Sequence, residues 1–144
     1  MIIFNKGAGY DNGDGVPEDD AEAAKWYLQA ADQGHINAQF NLGVMYENRE
    51  GVAENPVEAA TWYRKAADQG DYRAQYNLGV LYANGEGVPQ NSSEGYVWMS
   101  LAAMSGHKNL AIKRDRAAEK LTTEELTQAD QRAAKLFEKI QQDK

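Results

Sequence analysis

The stretch "AATWYRKAADQG" at residues 59–70 nearly repeats "AAKWYLQAADQG" at residues 23–34. A catalytic motif seldom recurs in so short a chain, whereas a phrase repeated at fixed spacing marks a structural unit. The tryptophans measure the spacing: Trp26, Trp62 and Trp98 stand 36 residues apart. Two glycine series, Gly15, Gly51, Gly87 and Gly34, Gly70, Gly106, keep the same period. Residues 21–49 and 57–85 agree at 18 of 29 aligned positions.

Each unit reads as two helices. The first, here the WY helix, opens at Asp19, Asn55 or Asn91, with Glu22, Glu58 or Glu94 three residues on. That spacing predicts a reciprocal capping box. Pro56 falls at the first helical position, where its missing donor costs nothing. The helix stops at Gly34, Gly70 or Gly106, each placed as a left-handed C-terminal cap. The second helix, the NLG helix, is "INAQFNLGVMYEN" (36–48) or "YRAQYNLGVLYAN" (72–84), and "NGEGVP" (84–89) breaks the latter. Ala38, Leu42, Gly43 and Tyr46 share one helix face, as do Ala74, Leu78, Gly79 and Tyr82. Gly inside a helix costs about 1 kcal/mol against Ala, so its recurrence predicts close backbone approach by a neighbouring helix. The paired alanines 30/31, 66/67 and 102/103 serve the same end on the WY helix. Neither helix buries its stripe alone, and stacked hairpins do. The predicted architecture is an all-α solenoid of antiparallel helix hairpins.

These residues carry a family resemblance. The pattern A-x-x-x-L-G-x-x-Y, then N-G-x-G-V-P, then A-x-x-W-Y-x-x-A-A-x-x-G resembles the Sel1-like repeat family, relatives of the tetratricopeptide repeats, over residues 5–107. The resemblance implies a right-handed superhelix serving as a protein–protein interaction scaffold. It also implies that NLG helices line the concave surface and WY helices the convex one.

The chain departs from its repeat at both ends. Phe4, Asn5 and Tyr10 mark residues 1–12 as the latter part of an NLG helix, with Lys6 in place of the Leu. We take this as a piece of a longer array in preference to a reduced cap, so compartment stays open, periplasmic or secreted included. Repeats follow at 13–49 and 50–85, then a degenerate one at 86–120 in which Arg114, Asp115 and Ala118 replace Leu, Gly and Tyr. In residues 121–144, Thr122 and Glu125 form a further capping box, with Leu121 and Leu126 as its hydrophobic staple. Leu126, Ala129, Ala133, Phe137 and Ile140 make the apolar stripe of a closing helix.

Composition limits function. The net charge of −7 argues against nucleic acid as a general partner. The basic stretch Lys108–Lys120 also carries Asp115 and Glu119 and reads as a mixed helix surface. No run approaches the roughly 18 apolar residues of a membrane span. The opening residues are too polar for a secretory signal. Absence of cysteine excludes thiol chemistry and disulfides. Residues 11–22 mimic a calcium loop at Asp11 and Glu22 only, since Gly13 and Val16 stand where a ligand and the turn glycine belong. Ser105 and Lys108 spell S-x-x-K across the helix-breaking Gly106. His35 and His107 follow cap glycines and read as solvent-facing turn residues. No enzyme activity, metal or cofactor is expected.

What remains is binding. Residues one turn off the NLG stripe form rungs: Asn5, Asn41, Asn77 and Lys113; Phe4, Phe40, Tyr76 and Ile112; Asn37, Arg73 and Asn109. Asn amides suit an extended peptide backbone, and the aromatics beside them add rigid apolar area. Arg73 and Lys113 suit a carboxylate. The expected peptide-binding residues are therefore Asn37, Phe40, Asn41, Arg73, Tyr76, Asn77 and Lys113, for a protein or peptide partner. The contrary view makes the asparagines structural bridges between helices. A second functional reading has the tryptophans as a carbohydrate or cell-wall platform.

Overall fold

The computed structural model describes residues 20–48 and 55–144. The N-terminal half-helix expected at residues 1–12, the predicted cap Asp19 and most of the 11–22 stretch lie outside the described residues. Seven helices occur among the described residues: α1 (Asp20–Asp32), α2 (Ile36–Asn48), α3 (Pro56–Asp68), α4 (Tyr72–Asn84), α5 (Ser92–Ala103), α6 (Lys108–Ala118) and α7 (Thr123–Gln142). WY helices α1, α3 and α5 alternate with NLG helices α2, α4 and the degenerate α6, as the period requires. The chain divides into two compact units, residues 1–65 and 66–144.

In the first unit, the buried face of α1 (Ala23, Ala24, Tyr27, Ala30, Ala31) packs with Ala38, Leu42 and Met45 of α2 and with Trp62. Gly43 is buried on the same face of α2. A Cβ there would lie 2.5 Å from the Tyr63 ring. That ring has nowhere to go, because Tyr63 is fully buried and its hydroxyl donates to Glu47 Oε1 at 2.8 Å.

The second unit repeats the arrangement with different atoms. A Cβ on Gly79 of α4 would meet the Gly95 carbonyl of α5 at 3.0 Å and Met99 Cγ at 2.9 Å. A Cβ on Gly95 would meet the Gly79 carbonyl at 3.0 Å. Met99 stands one period after Tyr63. The expected close approach at the NLG glycine is therefore present in both units, against a ring in one and against backbone in the other.

The first two WY-to-NLG turns are locked the same way. Gly34 (φ 88°) donates to Ala31 O at 2.9 Å, and His35 N–H reaches Ala30 O at 3.1 Å. Gly70 (φ 94°) and Asp71 do likewise to Ala67 O and Ala66 O at 3.0 and 3.2 Å. This bond pair is the Schellman motif, which requires a left-handed residue and so favours glycine. A buried glutamine then fastens the hairpin. Gln39 Nε2 donates to Ala31 O, and Gln75 Nε2 to Ala67 O, both at 3.2 Å.

The WY-helix N-termini differ from the sequence expectation. Asn55 and Asn91 do cap, accepting from Glu58 N–H at 3.2 Å and Glu94 N–H at 3.1 Å. The reciprocal glutamate bond does not form at Asn91, because its own N–H donates to Tyr82 O at 2.9 Å. Asn55 N–H similarly reaches Tyr46 O at 3.2 Å. Each cap is thereby tied to the helix before it. Glu94 is left for Arg132 of α7, which it binds through both carboxylate oxygens.

The closing helix α7 packs on α5 through Ala129, Ala133 and Ile140, with Tyr96 Oη donating to Asp130 at 2.6 Å. Covered by α4, α6 and α7, α5 buries every residue from Gly95 to Ala102. The capping box at Thr122 and Glu125 is complete in both directions. Phe137 is a correction to the predicted stripe: it is 39% exposed. At 100° per residue it lies roughly 60° round from the buried centre of the helix.

Gly79→Leu should destabilise the protein by more than the roughly 1–3 kcal/mol typical of overpacking, since backbone lies on the far side. Urea denaturation beside an exposed control, Lys108→Ala, checks this. Equal midpoints would show that the α4–α5 contact is looser than described.

Candidate functional site

The rung residues are presented separately by each unit. In the first, α2 carries Asn37, Phe40 and Asn41; Asn37 is exposed, Phe40 and Asn41 half-buried. Phe40 is steadied by Tyr63, with ring centroids 5.9 Å apart and a 43° tilt. In the second, α4 carries Arg73, Tyr76 and Asn77, all half-buried, and α6 carries the exposed Asn109, Ile112 and Lys113. Among the described residues, the side-chain amides of Asn41 and Asn77 make no hydrogen bond to the protein. Helix-bridging asparagines would show such bonds.

Arg73 is differently placed from what its sequence position suggests. Its Nε and Nη2 donate to Asp71 Oδ1 and Oδ2 at 3.1 and 2.7 Å, while Asp71 also caps α4 by accepting from Arg73 N–H. Hydrogen bonding to Asp71 raises the Arg73 pKa. The carboxylate expected from a ligand is thus already supplied by the chain, and Arg73 braces the start of α4.

The histidines separate into two roles. His35 is half-buried and caps α2, with Nδ1 accepting from Ala38 N–H at 3.3 Å. This corrects the solvent-facing assignment for His35; the missed signal was that its counterpart one period on is the cap residue Asp71. His107 is exposed, stacks on Tyr72 at 4.5 Å and contacts Ser105 Oγ through Nδ1 at 2.8 Å. Gly106 (φ 90°) stands between Ser105 at the end of α5 and Lys108 at the start of α6, so S-x-x-K does not lie on one helix. Among the described residues, no group of three or more His, Asp or Glu side chains is placed to hold a metal. No described helix is long and apolar enough to cross a membrane.

Two of the three tryptophans are core. Trp98 is fully buried and Trp62 is 5% exposed, with Lys65 Nζ 4.5 Å above its ring. Trp26 is half-buried. A ring without an accessible face has nothing to offer a sugar.

The Sel1 repeat family model matches residues 7–35, 36–71 and 73–107, well over half of the chain. The chain belongs to the Sel1 repeat family. The matched spans after the first open on the NLG side and close after the WY helix, cutting the same period at a different phase. Among solved structures, a protective antigen of uropathogenic Escherichia coli strains displaying an SLR fold is 32% identical, with TM-score 0.86, over 96% of this chain and 30% of that one. A Sel1 repeat protein from Oxalobacter formigenes is 42% identical, with TM-score 0.72, over 75% of this chain and 43% of that one. No curated protein matches the sequence significantly. The chain therefore spans less than half the length of either solved relative. Its fold is that of the Sel1 solenoids, with α7 as the closing helix.

Two predictions follow from these placements. Burial lowers the His35 pKa below 6.5, and the cap requires an unprotonated Nδ1. The unfolded chain then binds this proton more readily, so the contribution is present above pH 6.5 and is lost as pH falls through the lower folded value. Thermal melts should lose roughly 1 kcal/mol between pH 7.5 and 5. His35→Asn, a non-titrating cap, should remove that slope; an unchanged slope would assign it elsewhere. In single-tryptophan variants, acrylamide should quench Trp26 more strongly than Trp62 or Trp98. Strong quenching of Trp62 would return it to the surface.

Proposed function

We propose that this Sel1 repeat array binds a protein or peptide partner through the rungs of its NLG helices, Asn37, Phe40 and Asn41 on α2 in the first unit and Tyr76 and Asn77 on α4 in the second. The observation that supports this is the state of Asn41 and Asn77. Each unit places an amide at the same half-buried position on its NLG helix, and among the described residues neither amide bonds to the protein. A half-buried amide that serves no internal bridge offers a donor and an acceptor to an extended backbone. Phe40 and Tyr76, one residue before, supply rigid apolar area at small entropic cost. Arg73 acts by bracing α4, and the carboxylate-binding role passes to Lys113.

The test begins with peptides selected from a random phage-displayed library on the immobilised protein. Asn41→Ala combined with Asn77→Ala should weaken a selected peptide at least about tenfold, in keeping with about 0.5–1.5 kcal/mol for each hydrogen bond lost. The melting temperature should hardly change. Unchanged affinity by titration calorimetry, or a collapse in melting temperature, would return the asparagines to the solenoid's own structure.

A further inference from the structure

The basic stretch that reads in sequence as a mixed surface is sorted by the fold. Lys113, Arg116 and Lys120 follow i, i+3, i+7 spacing and share one face of α6 and its C-terminal turn, while Arg114 pairs with Asp115 at 3.1 Å. The three cations border one hollow of about 190 Å³ in the second unit, whose floor is Ala83 at the end of α4 and Gly95 and Met99 of α5. Among the described residues none of the three has an ion-pair partner. Like charges at these spacings repel along a helix, and only Arg116 and Lys120 are offset by the negative end of the helix dipole, which leaves Lys113 without that compensation. The degenerate repeat explains the opening: with Arg114 and Asp115 in place of Leu and Gly, α6 has no buried residue, and the space beside α5 stays unfilled.

We propose that this hollow is the anchoring subsite for an acidic peptide, one apolar side chain of which sits on the Ala83–Gly95–Met99 floor while flanking carboxylates meet Lys113, Arg116 and Lys120. The proposal rests on the peptide-binding reading above and gives that partner its chemistry. The volume decides the kind of occupant. Whole small-molecule ligands fill about 300–1,000 Å³, whereas this space suits a single branched or aromatic side chain. Charge decides the flanks: three exposed cations in a chain of net charge −7 form a local field opposite to the whole. An apolar anchor ringed by charge also gives both affinity and register. Nucleic acid fits less well, because three cations around an apolar floor provide no track for a phosphate backbone.

The test uses fluorescein-labelled peptides Glu-Asp-X-Asp-Glu, with X as Leu, Ile, Phe, Trp or Ser, and a labelled ten-residue oligothymidylate. Fluorescence polarisation and amide chemical-shift mapping are read on the full chain. At least one apolar X should bind saturably, at least tenfold more tightly than Ser, with shifts centred on Gly95, Met99 and Ala117. Arg116→Glu with Lys120→Glu should weaken it at least tenfold while the melting temperature holds, and Ala117→Leu, which fills the hollow without altering charge, should weaken it as well. Lys135→Ala, an exposed change on α7 outside the hollow, should change it less than twofold. Failure of every apolar peptide to bind, indifference to charge reversal, or equal binding of the oligothymidylate would overturn the proposal. Loss of binding on Asn41→Ala with Asn77→Ala, but not on the charge reversal, would also overturn it while leaving the NLG rungs as the peptide site.

Discussion

The backbones of α4 and α5 meet at Gly79 and Gly95 with no side chain between them, and the second unit is built around that contact. Each glycine would carry a Cβ to 3.0 Å from the other's carbonyl oxygen. Gly in a helix interior costs about 1 kcal/mol against Ala, which is sustained only where the close approach brings larger gains from packing. On the same two helices Leu78, Leu81, Val97 and Trp98 are fully buried. The first unit reaches the same end by a different fit, the Tyr63 ring packed close against Gly43 and held there through Glu47. In both cases the closeness on one side of the NLG helix turns its asparagine rung away from the core.

Helices so close need their ends specified, because a slipped hairpin would put Leu42 or Leu78 in water. The Schellman turn at Gly34 or Gly70 sets the direction of the chain, and the buried glutamine ties the next helix back to the last turn of the one before. An amide buried without a partner costs about 1–3 kcal/mol, so Gln39 and Gln75 penalise any register in which the alanine carbonyl is out of reach. Satisfying the asparagine caps from Tyr46 and Tyr82 applies the same logic at the opposite end of the hairpin, and frees Glu94 to hold the closing helix through Arg132.

The degenerate repeat is where structure turns to use. Losing the Leu-Gly pair from α6 removes its buried face, and α7 joins α6 in covering α5. Cations that alternate with acids along the chain become three on one side of a turn, over an apolar floor. The α6 side of this hollow is locally basic in a protein of net charge −7.

Much of the fold was legible in the residues themselves. A 36-residue period, a left-handed position for each cap glycine and apolar faces at helical spacing are local properties, and a chain that repeats them has few other ways to bury its stripes. The capping box at Thr122 was readable for the same reason, since all its partners lie within four residues. What the sequence left open depends on neighbours distant along the chain. Whether Asn91 would be satisfied by Glu94 or by Tyr82, whether Arg73 would be available to a ligand or engaged by Asp71, and whether Phe137 would fall inside the stripe or at its edge were settled by competing partners brought together in space. The rung asparagines show the division most clearly: their spacing is in the sequence, but their lack of an internal hydrogen bond among the described residues is a fact of packing. The hollow beside α6 belongs wholly to tertiary structure, because it exists only where two helices fail to close on one another.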